Sequence, residues 1–80
     1  MPRYFFDVEN ADLTRDEEGL MLDDPEAVAA TAMRTLLDIA RFEVIRQNER
    51  QMSVTVRDEA GTLLYRTELS IRAGWLIQPR

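Results

Sequence analysis

The segment that begins at Asp24 constrains the fold most, because it has the signature of one long amphipathic helix. Asp24 is a favourable N-cap residue, and Pro25 suits the first helical position, where its missing N–H would have had no partner anyway. Glu26 complements the positive end of the helix dipole. Glycine and proline are absent from residues 27–47, so the sequence predicts a helix that ends near Gln47.

The apolar residues of this helix recur every three or four positions and predict the side that faces the core. Arg34, Asp38 and Arg41 lie on the opposite side. Phe42 and Ile45 fall outside the apolar arc, so a single core leaves them unexplained. The predicted core side consists of Val28, Ala29, Ala32, Met33, Leu36, Leu37, Ile39, Ala40 and Val44.

Alternation of apolar and polar residues predicts four strands around the helix. Between the last two strands, Asp58 and Gly61 of the segment "DEAG" are typical of a hairpin turn in which the glycine takes a positive φ. The predicted strands are Arg3–Val8, Gly19–Leu22, Met52–Arg57 and Thr62–Ile71.

The inward side of three of these strands decides which residues form the core. In the first strand Tyr4, Phe6 and Val8 share one side, and Phe5 lies on the other. In the last strand two registers remain open. The inward residues are Met52, Val54 and Val56 in the third strand, and either Leu64 or the set Leu63, Tyr65, Leu69 and Ile71 in the last.

These elements predict an α+β fold with the order ββαββ. One long helix packs on one face of an antiparallel sheet of about four strands, in two layers. We expect a single domain over residues 1–80, with residues 73–80 as a C-terminal tail that contains Trp75. The run "MPRYFFDVEN" lacks the apolar stretch of a signal peptide, and no run approaches the length that spans a bilayer, so we expect no membrane segment and a cytoplasmic location.

The polar composition removes most of the usual catalytic groups. The chain contains no cysteine and no histidine, and all ten basic residues are arginine. Thiolates, imidazoles and the lysine amine are therefore excluded as nucleophiles, bases or metal ligands. We expect no catalytic residue, no cofactor and no metal site, and we expect that the protein is not an enzyme.

Acidic residues are concentrated in the first third of the chain. Residues 1–26 hold nine acidic residues and two arginines, and the segment "DLTRDEEGLMLDD" (Asp12–Asp24) holds six carboxylates. An EF-hand-type loop would need oxygen ligands at its first and twelfth positions, but here Pro25 falls at the twelfth. We interpret this segment as a charged turn followed by the helix start, with a weak Ca²⁺ or Mg²⁺ site and an acidic docking surface as the alternatives.

Several short motifs, taken together, resemble a family of small bacterial proteins with a domain of unknown function. They are the opening "MPRYFFDV", the "DEEG" turn (Asp16–Gly19), the alanine-rich helix and the segment "VTVRDEAGTLL". The resemblance implies one compact α+β domain in a bacterium, and it assigns no catalytic residue. Histidine is frequent in the family where Asp7 stands here, so no role of that histidine carries over.

Two groups of residues are candidates for contacts. Phe5, Phe42, Ile45 and Trp75 are apolar residues without an obvious place in a single helix–sheet layer and are candidates for a protein interface. The alternative is that the aromatic residues among them close the small core. Arg57, Arg66 and Arg72 are candidates for contact with an anion, and the alternative is that such arginines serve solubility and cross-strand pairing with Glu59 or Glu68.

The function that the sequence favours is a small non-enzymatic protein-interaction module, with a second copy of the chain or another protein as its partner. The alternative is a regulatory module that binds nucleic acid or an anion through arginines on the exposed sheet face. The net charge of −5 disfavours nucleic acid, because phosphate binding requires positive charge.

Overall fold

The computed structural model describes residues 2–43 and 49–79 and confirms the α+β architecture. One helix packs on a single antiparallel sheet, and the sheet has five strands instead of about four. The elements are β1 (Arg3–Asn10), β2 (Asp12–Thr14), β3 (Leu20–Met21), α1 (Pro25–Glu43), β4 (Glu49–Arg57) and β5 (Leu63–Arg72).

The sheet has the strand order β2-β1-β4-β5, and β3 pairs with the beginning of β1. β1 therefore has β4 along one edge and the two short strands along the other. The additional strand is β2, which the sequence did not predict because its three residues are polar or flanked by charge. In the turn before β2, Ala11 has a φ of 69°. Alanine rarely adopts this conformation, so the sequence did not indicate a turn there.

The core lies between the helix and the inner sides of β1, β4 and β5. Phe6, Val54 and Val56 are buried, which confirms the predicted inward sides of β1 and β4. In β5 the inner side includes Tyr65 and Leu69, and the alternation of burial places Thr67 and Ile71 on the same side, whereas Leu63 and Leu64 are exposed. An irregularity opposite Val56 and Arg57 shifts the register there, and the alternation of β5 becomes regular only from Tyr65 onward.

The buried side of the helix is narrower than the sequence predicted. Met33 and Leu37, predicted on the core side, are 52% and 60% exposed. The small Ala32 is fully buried, so the helix lies close to the sheet along one line and its flanks stay open. Val44, also predicted in the core, lies outside the described residues. The buried line consists of Val28, Ala32, Leu36 and Ala40.

Both predicted local motifs are present. The Asp24 side chain accepts a hydrogen bond from the backbone N–H of Ala27 at 2.8 Å, which is the expected N-cap. In the hairpin, the carboxylate of Asp58 accepts bonds from Ala60 and Thr62, and Gly61 has a φ of 87°. The predicted helix end near Gln47 lies outside the described residues.

In the described parts of the chain no helix is long and apolar enough to cross a membrane.

Candidate functional site

The acidic segment is organised around Asp16, whose carboxylate binds three backbone N–H groups. Oδ1 accepts from Glu18 and Gly19, both at 3.1 Å, and Oδ2 accepts from Phe6 at 3.0 Å. The first two bonds close the "DEEG" turn. The third joins the turn to β1 between the residues that pair with β3 and those that pair with β2. Asp16 therefore completes the hydrogen bonding of β1 where neither short strand reaches.

Gly19 allows this turn to lie against β1. Its φ is 71°, and a Cβ atom at this position would come within 2.9 Å of Arg3 Cγ, Phe5 Cε1 and the carbonyl oxygen of Tyr4. Only glycine avoids both the backbone strain and these contacts. The "DEEG" motif is therefore a requirement of close packing between the turn and the strand.

Arg57 links the same turn to the outer face of the sheet, which is the face away from the helix. Its Nε donates to Asp7 Oδ2 at 2.9 Å, and its Nη2 donates to the carbonyl oxygen of Asp16 at 2.8 Å. The guanidinium lies over the ring of Phe5 at 4.5 Å from the ring centre. The backbone N–H of Asp16 donates to Asp7 Oδ1 at 2.9 Å, which closes the set of bonds. We call Phe5, Asp7, Asp16 and Arg57 the Asp16 cluster.

The Asp16 cluster is suited to holding structure and unsuited to proton transfer. The side chains of Arg57 and Asp7 are 15% and 12% exposed, so their ion pair is well shielded from water. Burial by itself raises the pKa of Asp16, but hydrogen bonds from Phe6, Gly19 and Glu18 and the charge of Arg57 outweigh burial and hold this pKa below its ordinary value. Asp16 is therefore ionised at neutral pH and has no proton to donate.

The remaining carboxylates of Asp12–Asp24 do not gather around a common point. Asp24 caps the helix, and Asp12, Glu17, Glu18 and Asp23 are exposed. Within residues 2–43 and 49–79, no group of three or more metal-binding side chains is arranged to hold an ion. The structure thus gives this segment two structural functions, a turn and a helix cap.

The predicted interface residues occupy different parts of the molecule. Phe5 is half-buried in the Asp16 cluster. Phe42 is exposed in the last turn of α1, with Arg41 over its ring, and Trp75 is exposed in the tail. Only five residues join α1 to β4, and the start of β4 pairs with the end of β5, so Phe42 and Trp75 lie at the same end of the sheet. Ile45 lies outside the described residues.

Each of the three candidate arginines contacts a carboxylate. Arg57 pairs with Asp7, as described above. Arg66 Nε lies 2.8 Å from Glu68 Oε1, and Arg72 lies 3.6 Å from Glu49. The structure therefore does not bring these arginines together as a separate basic surface.

The described surface has two shallow hollows. Their volumes, about 210 and about 260 Å³, are below the range of roughly 300–1,000 Å³ that is typical of ligand pockets. The first lies on the outer face of β4 and β5 and is lined mainly by polar residues. The second is more apolar and is lined by Tyr4, Pro25, Val28, Leu64 and Tyr65.

Sequence reasoning missed the Asp16 cluster. An aspartate three residues before a glycine in a charged turn is the signal that was available, because aspartate commonly binds the backbone of its own turn. The bonds from Asp16 to Phe6 and from Arg57 to Asp7 join residues far apart in sequence, and they become visible only when the strands are paired.

These features define a two-layer α+β domain in which the Asp16 cluster holds the acidic turn against the sheet. Residues 3–70 match the model of a family described as a domain of unknown function (DUF6894), and the chain belongs to this family. This confirms the resemblance seen in the sequence. No curated protein and no solved structure gives a significant match to the chain.

Proposed function

We propose that this protein is a small non-enzymatic module of the bacterial cytoplasm that acts through protein–protein contacts and forms a homodimer. The observation that carries the proposal is the exposed apolar tail after β5. Trp75 is 80% exposed, Ile77 is 82% exposed and Leu76 is fully exposed. Contiguous exposed apolar side chains typically mark a protein interaction site, where a partner removes them from water. Tryptophan is also among the residues most enriched in interface hot spots.

The charged groups support contact rather than catalysis. Asp7, Asp16 and Arg57 satisfy one another or the backbone, so none of them is directed at a substrate. The remaining candidate arginines have carboxylate partners on the open surface. Charges of this kind contribute to the orientation and rate of association more than to affinity.

Sedimentation equilibrium at micromolar concentrations tests the homodimer directly. We expect the wild-type chain to sediment as a dimer, and we expect Trp75→Ala to shift the equilibrium toward monomer. Leu13→Ala is the matched control, because Leu13 is an exposed apolar residue on β2, remote from the tail. A dimer that is weakened equally by both substitutions would show that the tail has no specific part in the contact.

The fluorescence of Trp75 gives an independent test, because it is the only tryptophan in the chain. In a dimer that buries the tail, iodide quenching of this fluorescence should fall as the protein concentration rises. A monomeric chain whose tryptophan is quenched fully at every concentration would contradict the homodimer.

The structure offers little support for the alternative of nucleic-acid or anion binding, since each candidate arginine is near a carboxylate. Fluorescence anisotropy with labelled single- and double-stranded DNA at low salt separates the two functions. We expect no binding at micromolar protein, and a salt-dependent affinity there would favour the alternative.

A further inference from the structure

The two long outer strands of the sheet, β1 and β5, differ in whether their outer edges are covered. The outer edge of β1 is covered along its length by β3, by the carboxylate of Asp16 at Phe6, and by β2. The outer edge of β5 has no strand beside it among the described residues, although β5 is the longest strand at ten residues. A long open edge is a template for pairing with another chain unless proline, lysine or an inward-pointing charge blocks it. Residues 65–72 of β5 contain neither proline nor lysine, and their charged side chains lie on the outer face.

The charges on β5 have an order that suits pairing with itself. Arg66 and Glu68 are exposed on the outer face and flank Thr67. When two copies of an antiparallel strand are related by a two-fold axis at Thr67, Arg66 of each copy lies directly opposite Glu68 of the other. On the inner face, Tyr65 lies opposite Leu69. Opposite charges and apolar pairs directly across an antiparallel ladder are the favourable combinations.

We propose that β5 pairs antiparallel with β5 of a second copy about a two-fold axis at Thr67, which joins the two sheets into one. This inference rests on the proposed homodimer and specifies its interface. Regular pairing extends from Tyr65 to Leu69 on each chain, since the irregularity near Leu64 ends the regular alternation on one side. The partner is thus identified by charge order and by the open hydrogen-bonding groups of the strand.

Neighbouring registers of the same kind are less favourable. An axis at Arg66 or Glu68 places like charges directly opposite each other, and an axis at Leu69 places Arg66 opposite Arg72. An axis at Ser70 places Glu68 opposite Arg72, but it leaves Arg66 without an opposite charge. The axis at Thr67 alone gives both charges of the pair an opposite partner while the contact between Arg72 and Glu49 persists.

The helices fit this arrangement. α1 packs mainly on β4 and β5 and contacts β1 less. Because neighbouring strands are about 4.8 Å apart, a helix axis between β4 and β5 places the two helices about 10 Å apart on the same face of the joined sheet, and a helix axis over β4 places them about 14 Å apart. The first value is near the usual spacing of packed helices, and at the second value long side chains would bridge the gap. The exposed Met33 and Leu37, about one turn apart on one flank of α1, are the kind of residues that such a contact would cover.

The tail also gains neighbours. It leaves β5 at Arg72, seven residues or about 23 Å from Tyr65, so it is distant from the apolar hollow at Leu64 and Tyr65 in its own chain. Antiparallel pairing brings the tail of the second copy to that end instead. With the axis at Thr67, Arg72 of one copy lies opposite Thr62 of the other, so the tail of one copy begins at the end of the joined sheet that holds the hollow of the other.

Charge reversal provides a specific test by sedimentation equilibrium. Arg66→Glu alone and Glu68→Arg alone each place like charges opposite each other twice per dimer, and each should weaken the homodimer about tenfold. An equimolar mixture of these two variants restores both opposite-charge pairs, as does the double variant Arg66→Glu/Glu68→Arg, so both should dimerise like the wild type. Arg72→Glu is the matched control on the same strand, with the same change of charge and no expected effect.

Cysteine cross-linking tests the register itself, because the chain has no cysteine of its own. Thr67→Cys places two thiols within disulfide reach across the axis, since directly opposed Cα atoms are about 4.5–5.5 Å apart. Ser70→Cys places them six residues out of register, roughly 20 Å apart. We expect oxidation to yield a covalent dimer for the first variant and not for the second.

The outcomes separate this inference from the proposed function. A wild-type dimer that Arg66→Glu and Glu68→Arg leave unchanged, or that cross-links through Ser70→Cys and not Thr67→Cys, would overturn the pairing about Thr67 while the homodimer stands. A wild-type chain that stays monomeric at high micromolar concentration would overturn both.

Discussion

The carboxylate of Asp16 is the side chain whose removal tests the structure most directly. We expect Asp16→Ala to destabilise the domain substantially, because three backbone N–H groups lose their acceptor at once. The bonds to Phe6 and Gly19 are partly buried, whereas the bond to Glu18 is exposed and contributes little. A hydrogen bond to a charged group contributes about 1.5–3 kcal/mol, and partial exposure favours the lower end. The expected loss is therefore about 2–4 kcal/mol.

A loss of this size is readily measured in so small a domain. A chain of this length has a total stability of roughly 4–12 kcal/mol, so the variant loses a large share of it. Urea denaturation followed by far-UV circular dichroism should show a midpoint lower by about 2 M or more, given a slope of about 1 kcal/mol per M. Glu17→Ala is the matched control, because Glu17 is an exposed neighbour in the same acidic turn. Its midpoint should lie close to that of the wild type.

The dependence on pH distinguishes the bonds of Asp16 from simple packing. Because its folded pKa lies below the ordinary value of 3.8, ionised Asp16 contributes stability above that value, and this stability is lost as the pH falls through the lowered folded pKa. Asp16→Asn cannot ionise, so the gap in stability between it and the wild type should be largest near pH 7 and should shrink below about pH 4. A gap that stays constant from pH 7 to pH 3, or an Asp16→Ala variant as stable as Glu17→Ala, would refute the function assigned to this carboxylate.

Further predictions concern the other local features. Asp24→Ala should cost about 1 kcal/mol in urea denaturation through loss of the N-cap, and an unchanged midpoint would show that the helix starts elsewhere. Gly61→Val should cost more than this, because a β-branched residue is strained at positive φ even though no atom lies near the site, and Gly61→Asn should be better tolerated. Gly19→Ala should also destabilise strongly by the same assay, since strain and close contacts add there. Calorimetric titration of the intact protein with Ca²⁺ and Mg²⁺ should show no tight site in Asp12–Asp24. A micromolar dissociation constant would contradict the interpretation of this segment as a turn and a helix cap.

The parts of the fold that the sequence predicted are those with local causes. The helix start depends on Asp24 and its neighbours, and the hairpin turn depends on Asp58 and Gly61, all within a few residues of the bonds they make. Simple alternation predicts the inward side of β4, and the structure agrees, since Val54 and Val56 are both buried beneath the helix. Family membership was also predictable, since its motifs are short and contiguous.

The parts that the sequence did not predict depend on how the elements meet. Met33 and Leu37 satisfy the helical periodicity, yet one flat sheet covers only a narrow line of the helix and leaves them exposed. The register of β5 depends on an irregularity opposite Arg57 that has no glycine or proline to mark it. β2 is held by pairing with the end of β1, although its own sequence favours no strand.

The Asp16 cluster and the open edge of β5 together suggest why the acidic turn exists. Pairing between copies needs a single available edge, because two open edges on one sheet allow open-ended association. Asp16 accepts a hydrogen bond from the Phe6 N–H in the gap between β3 and β2. Arg57, on the outer face of the sheet, donates to the carbonyl oxygen of Asp16 and so holds the turn in place. The turn and the two short strands therefore cover β1, which leaves β5 as the one long uncovered edge among the described residues and, in the proposed pairing, the edge for a second copy. On this reasoning, Asp16→Ala has a second consequence beyond lost stability: at high concentration, the folded variant should form species larger than the dimer, detectable by sedimentation velocity, whereas Glu17→Ala should not.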